Sequence, residues 1–387
     1  MARLDAQRMI SRAETATGFN DWGGEEFRVP FETLIRAINE EALLTAIGLE
    51  RTERWLHSRL CERLKLFEDR KRNPAILSQR IEKPIFITGL PRAGTTYTHA
   101  LLASDPAHVA PLLWQWYRSS PPPNDASIDH CKTIQEVEEF MRFQGWKSPA
   151  MMAQHDHNAR APEECFFGFE LSFVNLGFTG YWHIPSYAAI LPTHWTEAYQ
   201  IHRKLLQAMQ VGIQGRRWIL KAPEHMTHFD ALFTEYPDAL IVQNHRDPAK
   251  VMASVLSVIT TMQALYSDQV QRIDRKYGLH FMEMFAAGLV NAAAKRKDPA
   301  MKARVVDIHY LHLEREPVSV MRKLYDDLNL SFNDRSLASI TGWIESNRKG
   351  KHGKHRYNLA DYGLTQEDVW GAFADYLDMF EIERERV

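Results

Sequence analysis

A strand, a glycine turn and a helix in direct succession constrain the fold of this chain more than any other feature. Residues 84–88 (Pro-Ile-Phe-Ile-Thr) form a short apolar strand, and residues 89–94 form a turn that contains two glycines. A helix is expected over about residues 95–104. Free backbone N–H groups and the helix dipole attract anions at such a helix start. Gly94 lets an anionic group approach the backbone, and Arg92 adds a fixed positive charge, so the pattern predicts an anion-binding loop.

The spacing of Gly89 and Gly94 matches the phosphate-binding loop of nucleoside triphosphatases, but the next residue does not. Those enzymes have lysine where this chain has Thr95, and the cation here lies inside the loop, at Arg92. No strand ends in a convincing magnesium-binding aspartate, since Asp307 lies within a strand without further support. A metal-free phosphate cradle fits a donor whose transferred group carries less charge than a γ-phosphate. A P-loop kinase or nucleotidase is the alternative.

Short apolar strands alternate with helices in the second half of the chain. Strands are expected at residues 218–220, 239–242 and 304–308, and a helix over about residues 248–262. This alternation indicates an α/β fold with a buried parallel sheet. Residues 31–69 carry apolar side chains at helical spacing and predict an N-terminal helical region.

The composition is that of an ordinary globular protein. The chain has 387 residues, with 47 Lys and Arg against 49 Asp and Glu, for a formal net charge of −2. This balance argues against a nucleic-acid partner, because nucleic-acid binders normally carry a basic excess. Three scattered cysteines, Cys61, Cys131 and Cys165, do not make a disulfide framework. We find no segment typical of a signal peptide or a transmembrane helix and therefore expect a cytoplasmic protein.

A second anion site is predicted after the strand at residues 239–242. Arg246 lies just past this strand, Asp247 is a natural N-cap, and Pro248 is a natural first helical residue. Ser254 lies about two turns into the helix that follows. An arginine at a strand end and a serine on the next helix can hold one phosphate together. Taken alone, the same pattern is also typical of an ordinary helix start with an exposed arginine.

Together the two stretches resemble the sulfotransferases that use 3′-phosphoadenosine 5′-phosphosulfate (PAPS). Members of this family carry a Pro-(Lys/Arg)-x-Gly-Thr-Thr loop for the 5′-phosphosulfate, matched by residues 91–96. They then carry an Arg-Asp-Pro step and a serine for the 3′-phosphate, matched by residues 246–248 and Ser254. The chain is most similar to the bacterial, especially actinobacterial, branch, over roughly residues 80–365. It shares with that branch the segments Leu101–Pro106, Ala161–Cys165, Leu220–His225 and His355–Tyr357.

The resemblance implies a P-loop-like three-layer α/β fold, with a central parallel β-sheet flanked by helices. We expect residues 1–75 to form an N-terminal helical extension packed on the main domain, and residues 76–387 to form the sulfotransferase domain. The implied reaction moves a sulfuryl group from PAPS to a hydroxyl or amine of a small-molecule or lipid-like acceptor. The nucleotide product is adenosine 3′,5′-bisphosphate (PAP), and no metal is expected.

The resemblance also implies which residues contact the donor. The donor-binding candidates are Arg92, Ala93, Gly94, Thr95, Thr96, Tyr97, Arg246, Ser254, Arg348, Lys349, Gly350 and Lys351. The last four form a C-terminal basic loop, which as a bare pattern is also typical of a solvated tail. Arg92 is the natural partner of the bridging oxygen and the leaving 5′-phosphate. Lys221 ends an apolar strand and either points into the site or lies at the surface.

The general base is harder to place. Relatives in this branch usually have a Trp-Glu pair soon after the first helix of the domain, where this chain has Trp114-Gln115. Glutamine cannot accept a proton, so either the base lies elsewhere or the chain binds the nucleotide without transferring sulfate. His157 is the first substitute, because a histidine pKa near neutrality suits the task. Glu163 is a second candidate, or it orients a histidine.

Two further patterns concern the acceptor and metals. Residues 166–199 are dense in aromatic side chains, which either line an apolar pocket or form plain core. We favour an apolar or amphiphilic acceptor. The pair His155-x-His157 has the spacing of metal ligands but no evident third ligand in the sequence, so a metal site is not expected there.

Overall fold

The structure is a computed structural model that describes residues 3–155, 157–269, 274–347 and 358–385. Five strands are assigned in these ranges: β1 Ile85–Gly89, β2 His108–Val109, β3 Arg217–Lys221, β4 Leu240–His245 and β5 Val305–His309. The helices of the first half are α1 Ala6–Thr17, α2 Arg28–Glu41, α3 Ala46–Arg72, α4 Pro74–Leu77, α5 Thr95–Ser104, α6 Leu113–Tyr117, α7 Cys131–Gln144, α8 Pro149–Met152, α9 Phe166–Phe169, α10 Gly177–Tyr181, α11 Pro185–Ala188 and α12 Trp195–Gln210.

The second half continues with α13 Phe229–Glu235, α14 Pro248–Gln263, α15 Arg275–Lys295, α16 Pro299–Lys302, α17 Tyr310–Arg315, α18 Pro317–Asp327, α19 Asp334–Ser346, α20 Gln366–Ala372 and α21 Ala374–Met379. Short 3₁₀ turns lie at Glu170–Ser172, Leu191–Thr193, Pro223–Thr227 and Leu359–Tyr362. None of the helices in the described ranges has the length and apolar character that a membrane crossing requires.

The strands form one parallel sheet in the order β2-β3-β1-β4-β5. This confirms the predicted α/β class and each of the strands expected from the sequence. Strand β1 lies in the centre and is buried along its whole length, which explains its unbroken apolar sequence. Because the sheet is parallel, the carboxyl ends of β1, β3, β4 and β5 lie at one edge.

A hydrophobic cluster packs on one face of this sheet. Ile85 and Ile87 of β1 contact it, together with Leu101 and Leu102 of α5. The remaining buried members come from neighbouring strands and from the helices after β5: Ile219, Val242, Ile308, Leu313, Met321, Leu324, Tyr325, Leu328 and Ile340. Burial of this set fixes α5, and hence the loop before it, against β1.

The end of β1 lies unusually close to β4. Gly89 pairs with Asn244 in the parallel register, and its φ of 131° is open to glycine but strained for other residues. A Cβ at this position would lie 2.3 Å from the carbonyl oxygen of Asn244. The glycine therefore sets the distance between the two strand ends that carry the predicted anion sites.

The chain divides into two compact units. The first comprises Met1–Ile81, Pro111–Gln214 and Ile259–Gln271, and the second comprises Glu82–Ala110, Gly215–Val258 and Arg272–Val387, which include the whole sheet. In the first unit, the helical region expected at residues 31–69 is two helices, α2 and α3. The predicted domain division after residue 75 stays a prediction.

The first unit has an aromatic core around Trp55 of α3. The Trp55 ring lies 5.0 Å from that of Trp146, 4.9 Å from that of Tyr181 and 5.2 Å from that of Trp182, measured between centroids. Its Nε1 donates a 3.0 Å hydrogen bond to the buried carboxylate of Glu170. Most aromatic side chains of residues 166–199 are buried in such contacts, so they act as core.

Replacing Gly89 with alanine tests the close approach of β1 and β4. We expect Gly89→Ala to lower the free energy of unfolding by about 3 kcal/mol, since backbone strain and overpacking add. Gly215→Ala is the matched control, because Gly215 also has a positive φ, 65°, but its added Cβ would meet nothing within 4 Å. The control should cost only about 1 kcal/mol. Equal costs in denaturant unfolding would contradict the proposed contact.

Candidate active site

The loop between β1 and α5 has a conformation that depends on glycine. Gly94 has a φ of 87° and is the last residue before α5, and Arg92 is also left-handed, with a φ of 69°. A Cβ on Gly94 would lie 2.4 Å from the ring of Tyr310, which is packed against the loop. The turn is closed by a 3.1 Å hydrogen bond from the Ala93 N–H to the Leu90 carbonyl. This geometry places the start of α5 at the carboxyl edge of the sheet.

The two predicted anion-binding stretches meet at Arg92. The Arg92 side chain is exposed, and its Nε donates a 3.1 Å hydrogen bond to Oγ of Ser254 on α14. Ser254 itself is buried. Residues that are 162 positions apart in the sequence therefore face one small region of the second unit.

Lys221 points towards the same loop. It ends β3 and is only 1 % exposed, and its Nζ lies 3.4 Å from Oγ1 of Thr96, the second residue of α5. Of the two positions left open by the sequence, the structure supports the one beside the loop. The position brings a second cation to the start of α5, where the helix dipole already favours negative charge.

Arg246 follows β4 and is held from three sides. Its Nε and Nη2 donate hydrogen bonds of 2.8 and 3.1 Å to the two carboxylate oxygens of Glu385, and its Nη1 lies 3.3 Å from the Arg92 carbonyl oxygen. The guanidinium carbon lies 4.1 Å from the ring centroid of Tyr310. Arg246 thus contacts the backbone of the first anion loop directly.

Asp247 fixes the turn that carries Arg246. As the sequence predicts, it caps the following helix, and its Oδ1 accepts a 2.9 Å hydrogen bond from the Ala249 N–H. The same oxygen accepts a hydrogen bond from the indole of Trp370 at 3.0 Å, and Oδ2 accepts one from the Glu385 N–H at 2.6 Å.

Sequence reasoning missed two residues here, Tyr310 and Glu385. Tyr310 directly follows β5, so its place at the carboxyl edge was available once the strand was identified. Glu385 lies in an acidic and basic tail, Glu381–Glu385, without a pattern that distinguishes it.

Asp307, considered as a magnesium ligand, is committed to other partners. Its Oδ1 accepts hydrogen bonds of 2.8 Å from both His245 and Arg296, and its Oδ2 accepts one of 2.6 Å from Arg296. Burial raises the pKa of Asp307, but the hydrogen bonds from His245 and Arg296 outweigh it and hold the pKa well below its usual value. The carboxylate therefore acts as the centre of an ion-pair network.

The first unit contains a group of titratable side chains formed by His155, His157 and Glu163. His155 Nε2 lies 2.8 Å from Oε2 of Glu163, and His157 Nδ1 lies 3.9 Å from the same oxygen. His157 and Glu163 are buried, and the Trp146 ring packs on His157 at 5.4 Å between centroids. The sequence left open whether Glu163 is itself a base or orients a histidine, and the structure brings it together with both histidines.

This group also has the donor set of a metal site. One ligand atom from each of the three residues lies within 4.8 Å of the others. Glu163 thus places a carboxylate oxygen beside the two histidines, which the sequence pattern did not reveal. Two histidines and a carboxylate can also act together in proton transfer, in which one group is the base and the others orient it.

Gln115 is buried and both of its amide atoms are engaged. Its Oε1 accepts a 2.9 Å hydrogen bond from the Leu112 N–H at the start of α6, and its Nε2 donates one of 2.9 Å to Oδ1 of Asn124. Asn124 in turn donates to the Met209 carbonyl at 2.7 Å.

Four of the residues that the sequence predicts as donor contacts, Arg348, Lys349, Gly350 and Lys351, lie outside the described residues.

Comparisons with known proteins identify the family. A sequence model of the Sulfotransferase family matches residues 84–334, which contain both predicted anion stretches. Two curated relatives, from Mycobacterium bovis and Mycobacterium tuberculosis, are each named omega-hydroxy-beta-dihydromenaquinone-9 sulfotransferase Stf3. Each is 22 % identical over 307 residues, which cover 76 % of this chain and 74 % of the relative.

Solved structures of sulfotransferases are also similar to this chain. Sulfotransferase STF1 from Mycobacterium tuberculosis H37Rv is 29 % identical with a TM-score of 0.82, and the match covers 96 % of this chain and 99 % of STF1. Sulfotransferase STF9 from Mycobacterium avium has the same fold, with a TM-score of 0.86, 24 % identity and full coverage of both chains. The family model spans well over half of the chain and includes the anion loop, the Arg-Asp-Pro step and Ser254. The chain therefore belongs to the sulfotransferase family.

Proposed function

We propose that this sulfotransferase takes its sulfuryl group from PAPS and transfers it to the hydroxyl of a lipid-like acceptor, releasing PAP. The observation that carries the donor assignment is the contact between Arg92 and Ser254. It brings the residues proposed for the 5′-phosphosulfate and for the 3′-phosphate into one anion site. A nucleotide with phosphates at both positions suits such a site, whereas Thr95 stands where a triphosphate-binding loop has lysine.

The cations divide two proposed tasks between them. The backbone N–H groups at the start of α5, with Thr95 and Thr96, hold the 5′-phosphate. Arg92 and Lys221 stabilise the charge that builds on the bridging oxygen as the sulfur–oxygen bond to that phosphate breaks. Arg246 and Ser254 bind the 3′-phosphate.

The reaction also needs a group that accepts a proton. As the acceptor oxygen forms its bond to sulfur, the electron pair of the breaking bond leaves with PAP, and the acceptor proton passes to the base. We propose His157 as that base, with Glu163 orienting it. Glu163 is itself held by His155 through the 2.8 Å contact, which supports a positioning role.

Gln115 has a structural role in this proposal. Its amide bridges the start of α6 and Asn124, so a glutamine at this position preserves a hydrogen-bonding chain that a carboxylate would break. The glutamine is therefore compatible with an active enzyme whose base lies elsewhere.

The acceptor class follows from the relatives and from the composition of the first unit. The curated relatives are named omega-hydroxy-beta-dihydromenaquinone-9 sulfotransferase, so the acceptor in their name is a hydroxylated, lipid-like menaquinone derivative. Phe166 differs from most aromatic side chains of its segment in being partly exposed, so it can contact an apolar chain. We therefore propose a long-chain or isoprenoid alcohol.

Calorimetric titration with PAP tests the donor assignment. We expect the wild-type protein to bind PAP, and Arg246→Ala to weaken binding by roughly 10- to 100-fold, because a charge-assisted hydrogen bond to phosphate is lost. Arg92→Ala should weaken binding in the same range. The exposed Arg335→Ala serves as the charge control and should leave the affinity unchanged.

A kinase or nucleotidase, which would use ATP with Mg²⁺, predicts a different result. If Mg²⁺-ATP stabilised the protein more than PAP did, or if PAP did not bind at millimolar concentration, the donor assignment would be wrong.

Replacing Gln115 by glutamate separates a structural residue from a lost base. We expect Gln115→Glu to destabilise the protein by about 1–3 kcal/mol, because a carboxylate oxygen would then face Oδ1 of Asn124 without a proton between them. Urea unfolding at neutral pH measures the change, and Gln200→Glu, at an exposed position of α12, is the matched control. A gain in sulfuryl transfer by Gln115→Glu would show instead that a base had been lost here.

Replacing His157 tests the base. Transfer of ³⁵S from labelled PAPS to farnesol and 1-dodecanol, dispersed in detergent, provides the assay. We expect His157→Ala to lower turnover by at least about 100-fold while PAP affinity stays within twofold. His280→Ala, on the exposed face of α15, should keep full activity. Full activity in His157→Ala would remove His157 as the base.

A further inference from the structure

The C-terminal segment Ile382–Glu385 docks on the turn that carries Arg246. Ile382 is buried and its N–H donates to the Leu377 carbonyl at 3.0 Å. The guanidinium of Arg384 lies 4.7 Å from the Trp370 ring centroid, and Trp370 in turn donates to Asp247. The Glu385 N–H donates to the same aspartate. The end of the described chain is thus held in one place by several independent contacts.

The carboxylate of Glu385 contacts the Arg246 guanidinium with the geometry that a bound phosphate would have. Two N–H groups of the guanidinium each meet one carboxylate oxygen, at 2.8 and 3.1 Å, in the bidentate arrangement that arginine also makes with phosphate. Both side chains are mostly shielded from water, with exposed fractions of 20 % for Arg246 and 12 % for Glu385. The carboxylate therefore uses the same edge of the guanidinium that a phosphate would need.

We propose that Glu385 is an autoinhibitory competitor of the donor's 3′-phosphate, and that donor binding displaces the C-terminal segment from Arg246. This inference rests on the proposed function, in which Arg246 binds that phosphate. Two anions cannot share the two N–H groups, and their like charges repel at contact distance. Every donor molecule must therefore exchange with Glu385.

The exchange lowers the apparent affinity for PAPS without altering the bound complex. If the carboxylate occupied Arg246 for about nine-tenths of the time, the apparent dissociation constant would be about tenfold larger than the intrinsic one. Reactions or binding events that remove the tail would then activate the enzyme by raising its donor affinity. The contacts of Ile382 with Leu377 and of Arg384 with Trp370 keep the rest of the tail close, so Glu385 can return when the product leaves.

If Glu385 instead helped to bind the donor, its loss would change the affinity for PAP in the opposite direction. A carboxylate that only positions Arg246 would strengthen phosphate binding, and its loss would weaken PAP affinity. The sign of the change in affinity therefore decides between a competitor and a positioning residue.

Calorimetric titration of Glu385→Gln with PAP is the experiment. We expect PAP to bind roughly three- to tenfold more tightly than to the wild type. Adenosine 5′-phosphosulfate, which has no 3′-phosphate, should show no change. Glu383→Gln is the matched control, because Glu383 lies in the same segment and faces Arg315 at 3.8 Å instead of Arg246. Adding Arg246→Ala to Glu385→Gln should abolish the gain.

A measurement on the unaltered protein guards against an effect of the substitution on folding. Hydrogen–deuterium exchange of peptides that cover residues 377–385 should increase on PAP binding, because the Glu385 N–H leaves Asp247. Unchanged or slower exchange there would overturn the proposal, as would unchanged or weaker PAP binding by Glu385→Gln.

The outcome also separates this inference from the donor assignment. If the wild type binds PAP and Glu385→Gln does not gain affinity, only the competitor role fails. If neither protein binds PAP, the donor assignment fails and the competitor role fails with it.

Discussion

The close approach of β1 and β4 at Gly89 controls the geometry of the candidate site. The register pairs Gly89 with Asn244, so the loop that follows β1 and the turn that follows β4 begin side by side. Arg92 lies three residues beyond Gly89, and Arg246 lies two residues beyond Asn244. Their proximity, seen in the 3.3 Å contact between Nη1 of Arg246 and the Arg92 carbonyl oxygen, follows from this pairing. A side chain at Gly89 would separate the strand ends and the two candidate anion sites with them.

Both cations already have oxygen partners in this structure. Arg92 donates to a neutral hydroxyl, Ser254, whereas Arg246 donates to a carboxylate, Glu385. A neutral partner is easily exchanged for a phosphate, and a charged one competes with it. In the proposed complex, donor binding is an exchange of oxygen ligands around two arginines. A chain of net charge −2 can bind a highly anionic nucleotide in this way, because the cations that matter are few and local.

The sequence was sufficient for features whose cause is local. The strand at residues 84–88, the helix after Gly94 and the cap at Asp247 each follow from short patterns of polarity and backbone preference. The parallel sheet follows from the alternation of strands and helices. The resemblance of residues 91–96 and 246–248 to sulfotransferase motifs then pointed to the family, and the family model confirms it.

Features that depend on contacts between distant residues could not be predicted. The pairing of Arg246 with Glu385 joins residues 139 positions apart, and nothing in the tail distinguishes Glu385 from its acidic neighbours. The sequence offered Glu163 as a base or as the partner of a histidine, but its place beside both His155 and His157 was visible only in the folded chain. Gln115 illustrates the same limit, since the sequence left open whether the base lies elsewhere or activity is lost, and only the structure shows the hydrogen bonds that its amide makes with Leu112 and Asn124.

A crystal structure of the complex with adenosine 3′,5′-bisphosphate tests the central claim most directly. The 5′-phosphate should lie on the backbone N–H groups at the start of α5, within hydrogen-bond distance of Arg92 or Lys221. The 3′-phosphate should lie on Arg246 and Ser254, with the Glu385 carboxylate moved away. A nucleotide bound elsewhere, or a 3′-phosphate without contact to Arg246, would contradict the assignment of this site.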